Sequence, residues 1–234
     1  MLPEPYYQDD WVTLYQGDCR NIVPYLEPVD LVLTDPPYGI GAASSKLSLR
    51  LRDLAPREWD DTTFEQSFID SLTKQPLILF GGNYYSMPPS SCWLVWYKQQ
   101  IEPWANCELA WTNLPGAIRC FVYHWRLLSN SKTQQREHPT QKPLAVIEWC
   151  IRQAESKLKK TVYTVLDPFA GSGTTLVAAK NMGKKAIGVE LEKDYCEIIV
   201  KRLKQDVLFK PSSGQNYVGQ EGVSQPNLFR PHGG

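Results

Sequence analysis

Cysteine pairs of the Cys-x-x-Cys kind are absent from this 234-residue chain, whose six cysteines stand apart at 19, 92, 107, 120, 150 and 196. No metal site is therefore expected, and scattered thiols in a chain this long point to a reducing, cytoplasmic setting. Excess charge is missing too, with 25 Lys and Arg against 25 Asp and Glu. That argues against a protein that coats nucleic acid indiscriminately, because such affinity comes from neutralising phosphates. Local basic clusters remain, at Lys46, Arg50, Arg52 and Arg57 and at Lys132 and Arg136, and each reads equally as a solvated loop. No apolar run approaches the ~20 residues that span a bilayer, so no membrane segment is expected. The acidic, proline-bearing opening MLPEPYYQDD does not read as a signal peptide. There are no internal repeats.

What is present is an ordinary globular composition, 42% hydrophobic and 21% charged, enough for one α/β domain with a substantial core. Val12 to Tyr15, Leu31 to Leu33, Leu77 to Phe80 and "CWLVWY" at 92–97 read as short apolar strands. Residues 41–75 read as a long loop with a helix around Phe64 to Leu72, and loops this long are usually functional or disordered. "HPTQKPLAVIEWCIRQAE" predicts a loop, then a helix entered through Pro143 in its first turn, with Leu144, Ile147, Ile151 and Ala154 on one face. Residues 161–203 then read as a βαβα unit. From about 207 the pattern dissolves into Gly, Pro, Ser, Gln and Asn. The expected division is a folded domain over 1–206 and a flexible tail over 207–234.

Two stretches stand out. In "LVLTDPPYGIG", 31–41, a strand buried on both faces runs into Asp35, Pro36, Pro37 and Tyr38. The prolines end the strand and stiffen the loop, which holds the carboxylate at the strand's carboxyl end, where open α/β sheets bind ligands. In "LDPFAGSGTT", 166–175, Gly171 and Gly173 lie between a strand and a helix, a turn that lets a ligand approach the backbone and the amide-rich helix start. Glu190 ends the next strand at the distance where an acid receives ribose hydroxyls. The third glycine of the dinucleotide fingerprint and the lysine of a P-loop are both missing, so the ligand has a ribose but need not have a pyrophosphate.

Together these stretches resemble the amino-group DNA methyltransferases, which use S-adenosylmethionine to methylate adenine N6 or cytosine N4. "DPPYG" is similar to their catalytic motif, "LDPFAGSGTT" to their cofactor motif and "HPTQKP" to the segment that helps hold the methionine part. The catalytic motif precedes the cofactor motif, as in the circularly permuted β group. "GGNYYSMPPSSCWLVWYK" and "CELAWT" resemble small phage and prophage members, and the likeness runs from about 11 to 205. The resemblance implies a Rossmann-like methyltransferase fold with a mostly parallel sheet and helices on both faces.

It also implies roles. Asp35 and the Pro36 carbonyl would each accept one N–H of an exocyclic amine, pulling the nitrogen toward tetrahedral geometry for in-line transfer. Tyr38 would stack on a base flipped out of DNA. Asp167, Phe169, Gly171 and Gly173 would line the cofactor, Glu190 would hold its ribose, and Thr140 and Lys142 would meet its carboxylate. Asp18 of "QGDC" matches a position near the adenine, or makes a plain turn. Lys98 matches a lysine found there in relatives, and His138 reads as structural.

Asp at 35 favours adenine N6, with cytosine N4 or RNA adenine as alternatives, and an inactive scaffold as a reading from another class. A dehydrogenase leaves "DPPYG" unexplained. No separate recognition domain fits between the motifs, so recognition falls to residues 41–61, to 112–137, to a second subunit in a homodimer or to a partner. In the tail, Gln225, Leu228 and Phe229 of "QPNLF" resemble a peptide that docks on sliding clamps.

Overall fold

Runs of four to six apolar residues are too short for stable helices but long enough for strands. In the computed structural model, which describes residues 1–39, 63–99, 105–124 and 141–205, such runs build one nine-stranded sheet. Its strands are β1 (Tyr7–Gln8), β2 (Val12–Gln16), β3 (Leu31–Thr34), β4 (Leu77–Phe80), β5 (Trp93–Tyr97), β6 (Cys107–Thr112), β7 (Arg119–Val122), β8 (Thr164–Asp167) and β9 (Lys185–Glu190). Their spatial order is β1-β2-β9-β8-β3-β4-β6-β5-β7. The centre, from β2 through β9, β8 and β3 to β4, is parallel, and β1 and β6 run antiparallel to their neighbours.

Side chains alternate between two cores, as the period of two requires. Leu31, Leu33, Ile78 and Phe80 face one layer, while Val32, Leu77 and Leu79 face the other. The first layer is closed by three helices, α3 (Leu144–Leu158), α4 (Thr174–Asn181) and α5 (Lys193–Lys204), and the second by α1 (Cys19–Ile22) and α2 (Gln66–Leu72). Covering both faces explains why these strands read as continuous apolar runs. Among the described residues no helix is long and apolar enough to cross a membrane.

The four strands expected at 12–15, 31–33, 77–80 and 92–97 all form, as does the βαβα unit. Pro143 sits one position earlier than expected, as the N-cap of α3, its carbonyl accepting from the Val146 amide at 3.1 Å. Leu144 is only partly buried, and the covered face of α3 is Val146, Ile147, Cys150, Ile151 and Ala154. The long loop expected over 41–75 falls largely on residues outside the described ones, as does the tail.

The strand order also creates the crevice. β8 leads through α4 to β9 on one side of it, while β3 leads to β4 on the other. Connections that depart in opposite directions from adjacent parallel strands leave an opening at their carboxyl ends. Both expected motifs end there.

Candidate active site

Because the central strands are parallel, one rim of the sheet collects the residues that follow them. Asp18 follows β2, Asp35 follows β3, Gly81 follows β4, while Asp167 and Glu190 close β8 and β9. Gln16 lies opposite Glu190 and Asp167 opposite Gly188. The Thr34 hydroxyl donates to Asp167 at 2.7 Å, joining the ends of β3 and β8. Asp167 is buried, and burial pushes its carboxyl up to about 6 despite hydrogen bonds from Thr34, Thr175 and the Phe169 amide.

A cavity of about 330 Å³ lies along this rim, lined by Asp18, Asp35, Pro37, Lys142, Asp167, Phe169, Gly171 and Glu190, among others. This is the volume range of small-molecule sites. Glu190 is 8% exposed. Its two carboxylate oxygens accept from the Gly171 amide at 2.7 Å and the Glu192 amide at 2.9 Å, which fixes the side chain while each oxygen keeps further acceptor capacity. Burial nonetheless pushes its carboxyl up to about 7.

Gly171 has φ +54° and open space around it, the nearest atom to a built Cβ lying 3.9 Å away. Gly173 is different. It is absent from the cavity lining, and a Cβ there would lie 2.8 Å from Ile199, so it serves the packing of α4 on α5. Asp18 both lines the cavity and caps α1, accepting from the Arg20 amide at 2.9 Å and pairing with its guanidinium, which holds its carboxyl below the usual range. Arg20 in turn lies over the Phe64 ring at 5.4 Å, and Phe64 meets Phe169 edge-on at 4.7 Å. These rings form an apolar wall on the cavity.

Around Asp35 lies a row of charges. Lys142, expected at the carboxylate of a bound cofactor, lines the cavity, pairs with Asp35 and lies 3.2 Å from Glu108. Lys98 meets the other Glu108 oxygen at 2.5 Å. Burial alone would strip Lys142 of its charge. The carboxylates of Asp35 and Glu108 outweigh that and raise its basicity. Glu108 is likewise held below its usual range, the ammonium groups of Lys142 and Lys98 overcoming burial.

Pro36 is buried and does not line the cavity. Tyr38 donates its hydroxyl to Asp35, and its ring stacks on Tyr84 at 4.9 Å and 15°. That face is therefore covered by protein rather than open to a base. Burial and the neighbouring carboxylates push the Tyr38 phenol well above its ordinary value. Gly81 admits the ring: a Cβ there would lie 2.0 Å from it. The Tyr85 hydroxyl holds the Pro37 carbonyl.

Glu108, Tyr84 and Tyr85 carry no expectation from sequence. The signal was present in "CELAWT" and "GGNYY", where a carboxylate opens an apolar strand and two tyrosines follow paired glycines. Without the strand order, nothing ties them to Asp35. Thr140 and His138 lie outside the described residues. Among the described residues no cluster of three or more His, Cys, Asp or Glu could hold a metal ion.

Known proteins share this arrangement in part. The model of the N6/N4 DNA methylase family matches residues 95–201. Over that stretch, a little under half of its length, the chain is similar to this family. The type II methyltransferase M2.LlaDCHI of Lactococcus lactis subsp. cremoris is 26% identical, over 89% of this chain and 95% of its own. M2.DpnII of Streptococcus pneumoniae is 24% identical, over 88% and 94%.

Among solved structures, the PvuII DNA methyltransferase (cytosine-N4-specific) superposes with a TM-score of 0.56 at 18% identity, over 88% of this chain and 91% of its own. The M1.HpyAVI complex with S-adenosylmethionine gives 0.52 at 23%, over 82% and 99%. The fold is thus that of the Rossmann-like methyltransferases. The protein is an S-adenosylmethionine-dependent enzyme whose substrate is DNA.

Proposed function

We propose that this methylase modifies the N6 amine of adenine, with Asp35 as the acceptor that orients it. The observation that carries this reading is the placement of Asp35 and Glu190 on one cavity, at the carboxyl ends of strands two places apart in the sheet. The residues present fit S-adenosylmethionine. Glu190 is fixed with acceptor capacity to spare for two ribose hydroxyls, and Gly171 leaves room beside it. When bound, the cofactor supplies an electrophilic methyl on a sulfonium.

The chain's own contribution is position. An exocyclic amine is a weak nucleophile because its lone pair is delocalised into the ring. Asp35 accepts one N–H bond and draws the nitrogen toward tetrahedral geometry, with the lone pair turned to the methyl. Pro36 is buried and off the cavity lining, so its carbonyl takes the second N–H only if the entering base uncovers it. The proton that the amine would shed on methylation passes to Asp35 or solvent. Phe169 and Phe64 exclude water from the cofactor, and Asp18 takes the adenine end. Duplex DNA must yield its base by flipping, and Tyr38 receives it once the ring turns from its hydrogen bond with Asp35.

Methyl transfer from labelled S-adenosylmethionine to unmethylated genomic DNA, followed by nucleoside mass spectrometry, tests this beside Asp35→Ala. N6-methyladenine that vanishes in the variant is the expected result. N4-methylcytosine would overturn the base, and a product that persists in Asp35→Ala would overturn the site.

The remaining assignments belong to the same reading: a cytoplasmic enzyme of a restriction–modification or phage system, a folded domain over 1–206, a flexible tail, and recognition by residues 41–61, by 112–137, by a second subunit of a homodimer or by a partner protein. The tail peptide ending at Gly234 is expected to bind a purified sliding clamp, and the Leu228/Phe229 double alanine version to lose that binding.

A further inference from the structure

We infer that Glu108 is a positioning residue for methyl transfer, acting through Lys142 to hold one oxygen of Asp35. The inference rests on the reading of Asp35 as the amine acceptor. The two oxygens of Asp35 are engaged differently. Oδ1 receives the Tyr38 hydroxyl and Oδ2 the Lys142 ammonium. The hydroxyl is a neutral donor and the ammonium a charged one, so Oδ1, bound by the weaker donor, is the oxygen assigned to exchange a phenol for an amine N–H.

Lys142 is the fixed donor. It is 7% exposed, and its nitrogen lies 4.5 Å from the centre of the Phe80 ring. Oε2 of Glu108 stands 3.2 Å behind it as an ion pair, a buried oxygen with no hydrogen-bond partner of its own among the described residues. Lys98, from the end of β5, closes the row at 2.5 Å from Glu108. The row alternates in charge, ammonium, carboxylate, ammonium, carboxylate, and ends on Asp35.

The topology explains how these residues meet. β6 runs antiparallel to β4, so its first residues return to the rim where β3 and β4 end. Glu108 therefore comes from the far half of the sheet to the catalytic carboxylate. A buried ion pair is a weak source of stability, since desolvation offsets most of the attraction. What a row of buried charges does provide is a fixed place for the last one. With Oδ2 fixed, the Asp35 carboxylate has one orientation, and Oδ1 presents itself to the amine at a set angle to the cofactor's methyl. Positioning errors of about 1 Å cost on the order of 100-fold in rate.

The test separates transfer from cofactor binding. Single-turnover methylation at saturating DNA and cofactor is measured for Glu108→Gln, Lys142→Met and Lys142→Arg, with the S-adenosylmethionine Kd of each. Glu108→Gln is expected to lose roughly 20- to 100-fold in rate while its Kd stays within about threefold. Lys142→Met loses at least as much, and Lys142→Arg, which keeps a buried cation beside Asp35, recovers about tenfold over Met. A Glu108→Gln rate within about twofold of the unaltered enzyme overturns the inference. So does a pattern in which Lys142→Met weakens cofactor binding while the saturated rate stays unchanged, which would place the ammonium on the cofactor's carboxylate instead.

If Glu108→Gln fails to melt cooperatively, Glu108→Asp takes its place, with the same charge one methylene further from Lys142. An unchanged rate in that folded variant overturns the inference equally. Asp35→Ala runs alongside. Transfer that survives it removes the reading of Asp35 itself, whereas transfer lost in Asp35→Ala and intact in Glu108→Gln removes only the role of Glu108.

Discussion

The Thr34 hydroxyl is bonded to the Asp167 carboxylate at 2.7 Å, across 133 residues of sequence. Thr34 immediately precedes Asp35, and Asp167 opens the glycine loop, so this bond ties the acceptor motif to the cofactor motif at the junction of β3 and β8. The chemistry needs the two in fixed relation, since a methyl must pass between molecules held by each.

Thr34→Val keeps the shape and removes the bond. Leaving a buried carboxylate short of a partner costs about 1–3 kcal/mol. The pH dependence has a definite sign. The folded-state value of Asp167, about 6, lies above its unfolded value, so its contribution to stability is present at low pH and is lost as pH rises through 6. The Thr34 hydroxyl opposes that loss. Urea denaturation is therefore expected to show a larger Thr34→Val penalty at pH 8 than at pH 5. An equal penalty at both would mean that the hydroxyl does not bear on the Asp167 charge.

Glu190 carries a second pH signature. Its carboxyl is pushed up to about 7 by burial, against the Glu192 and Gly171 amides. Ribose hydroxyls donate better to the ionised form, so cofactor affinity is expected to rise between pH 6 and pH 8 and binding to release protons near pH 7. Calorimetry in two buffers of different ionisation heat checks both. Glu190→Gln should bind about 10- to 100-fold more weakly at pH 8, the worth of hydrogen bonds to a charged acceptor, with the pH dependence gone.

Much of this was legible in the sequence because it is local. A strand, two prolines and a carboxylate at 31–37, or a strand, two glycines and a distant acid at 164–190, carry their meaning in spacing. Their common rim follows once the strands are parallel. What spacing does not carry is the far half of the sheet. β7 is mostly exposed, so Arg119–Val122 lacks the alternation that marks a strand. β6 places Glu108 beside Asp35 through antiparallel pairing with β4, a relation no periodicity encodes. Lys142 shows the reverse. Its motif was recognised, and its partner was not.

Gly81 is the position where a single methyl group is expected to disturb catalysis most directly. Its φ is +68°, and an added Cβ would lie 2.0 Å from Cε1 of Tyr38. Gly81→Ala must therefore move the ring away from Asp35 and off Tyr84. The expected outcome is a fall in transfer rate with unchanged cofactor affinity. Tyrosine fluorescence should report the lost stack. A Gly81→Ala enzyme with the original rate would show that the resting position of Tyr38 does not matter to turnover.

The two glycines of the cofactor loop are expected to fail in different ways, although both have positive φ, +54° at Gly171 and +79° at Gly173. Either alanine variant bears the cost of a left-handed residue, about 1–2 kcal/mol. Gly173→Ala adds a contact of 2.8 Å with Ile199, buried between α4 and α5, and overpacking there costs typically another 1–3 kcal/mol. Gly171→Ala meets nothing inside 3.9 Å in the protein. Gly171 lines the cavity, so the added methyl is expected to take room from a bound cofactor. Thermal melts and cofactor titrations on the pair should therefore cross over, with Gly173→Ala the less stable and Gly171→Ala the weaker binder. If Gly173→Ala were instead the weaker binder at full stability, the assignment of that glycine to packing would be wrong.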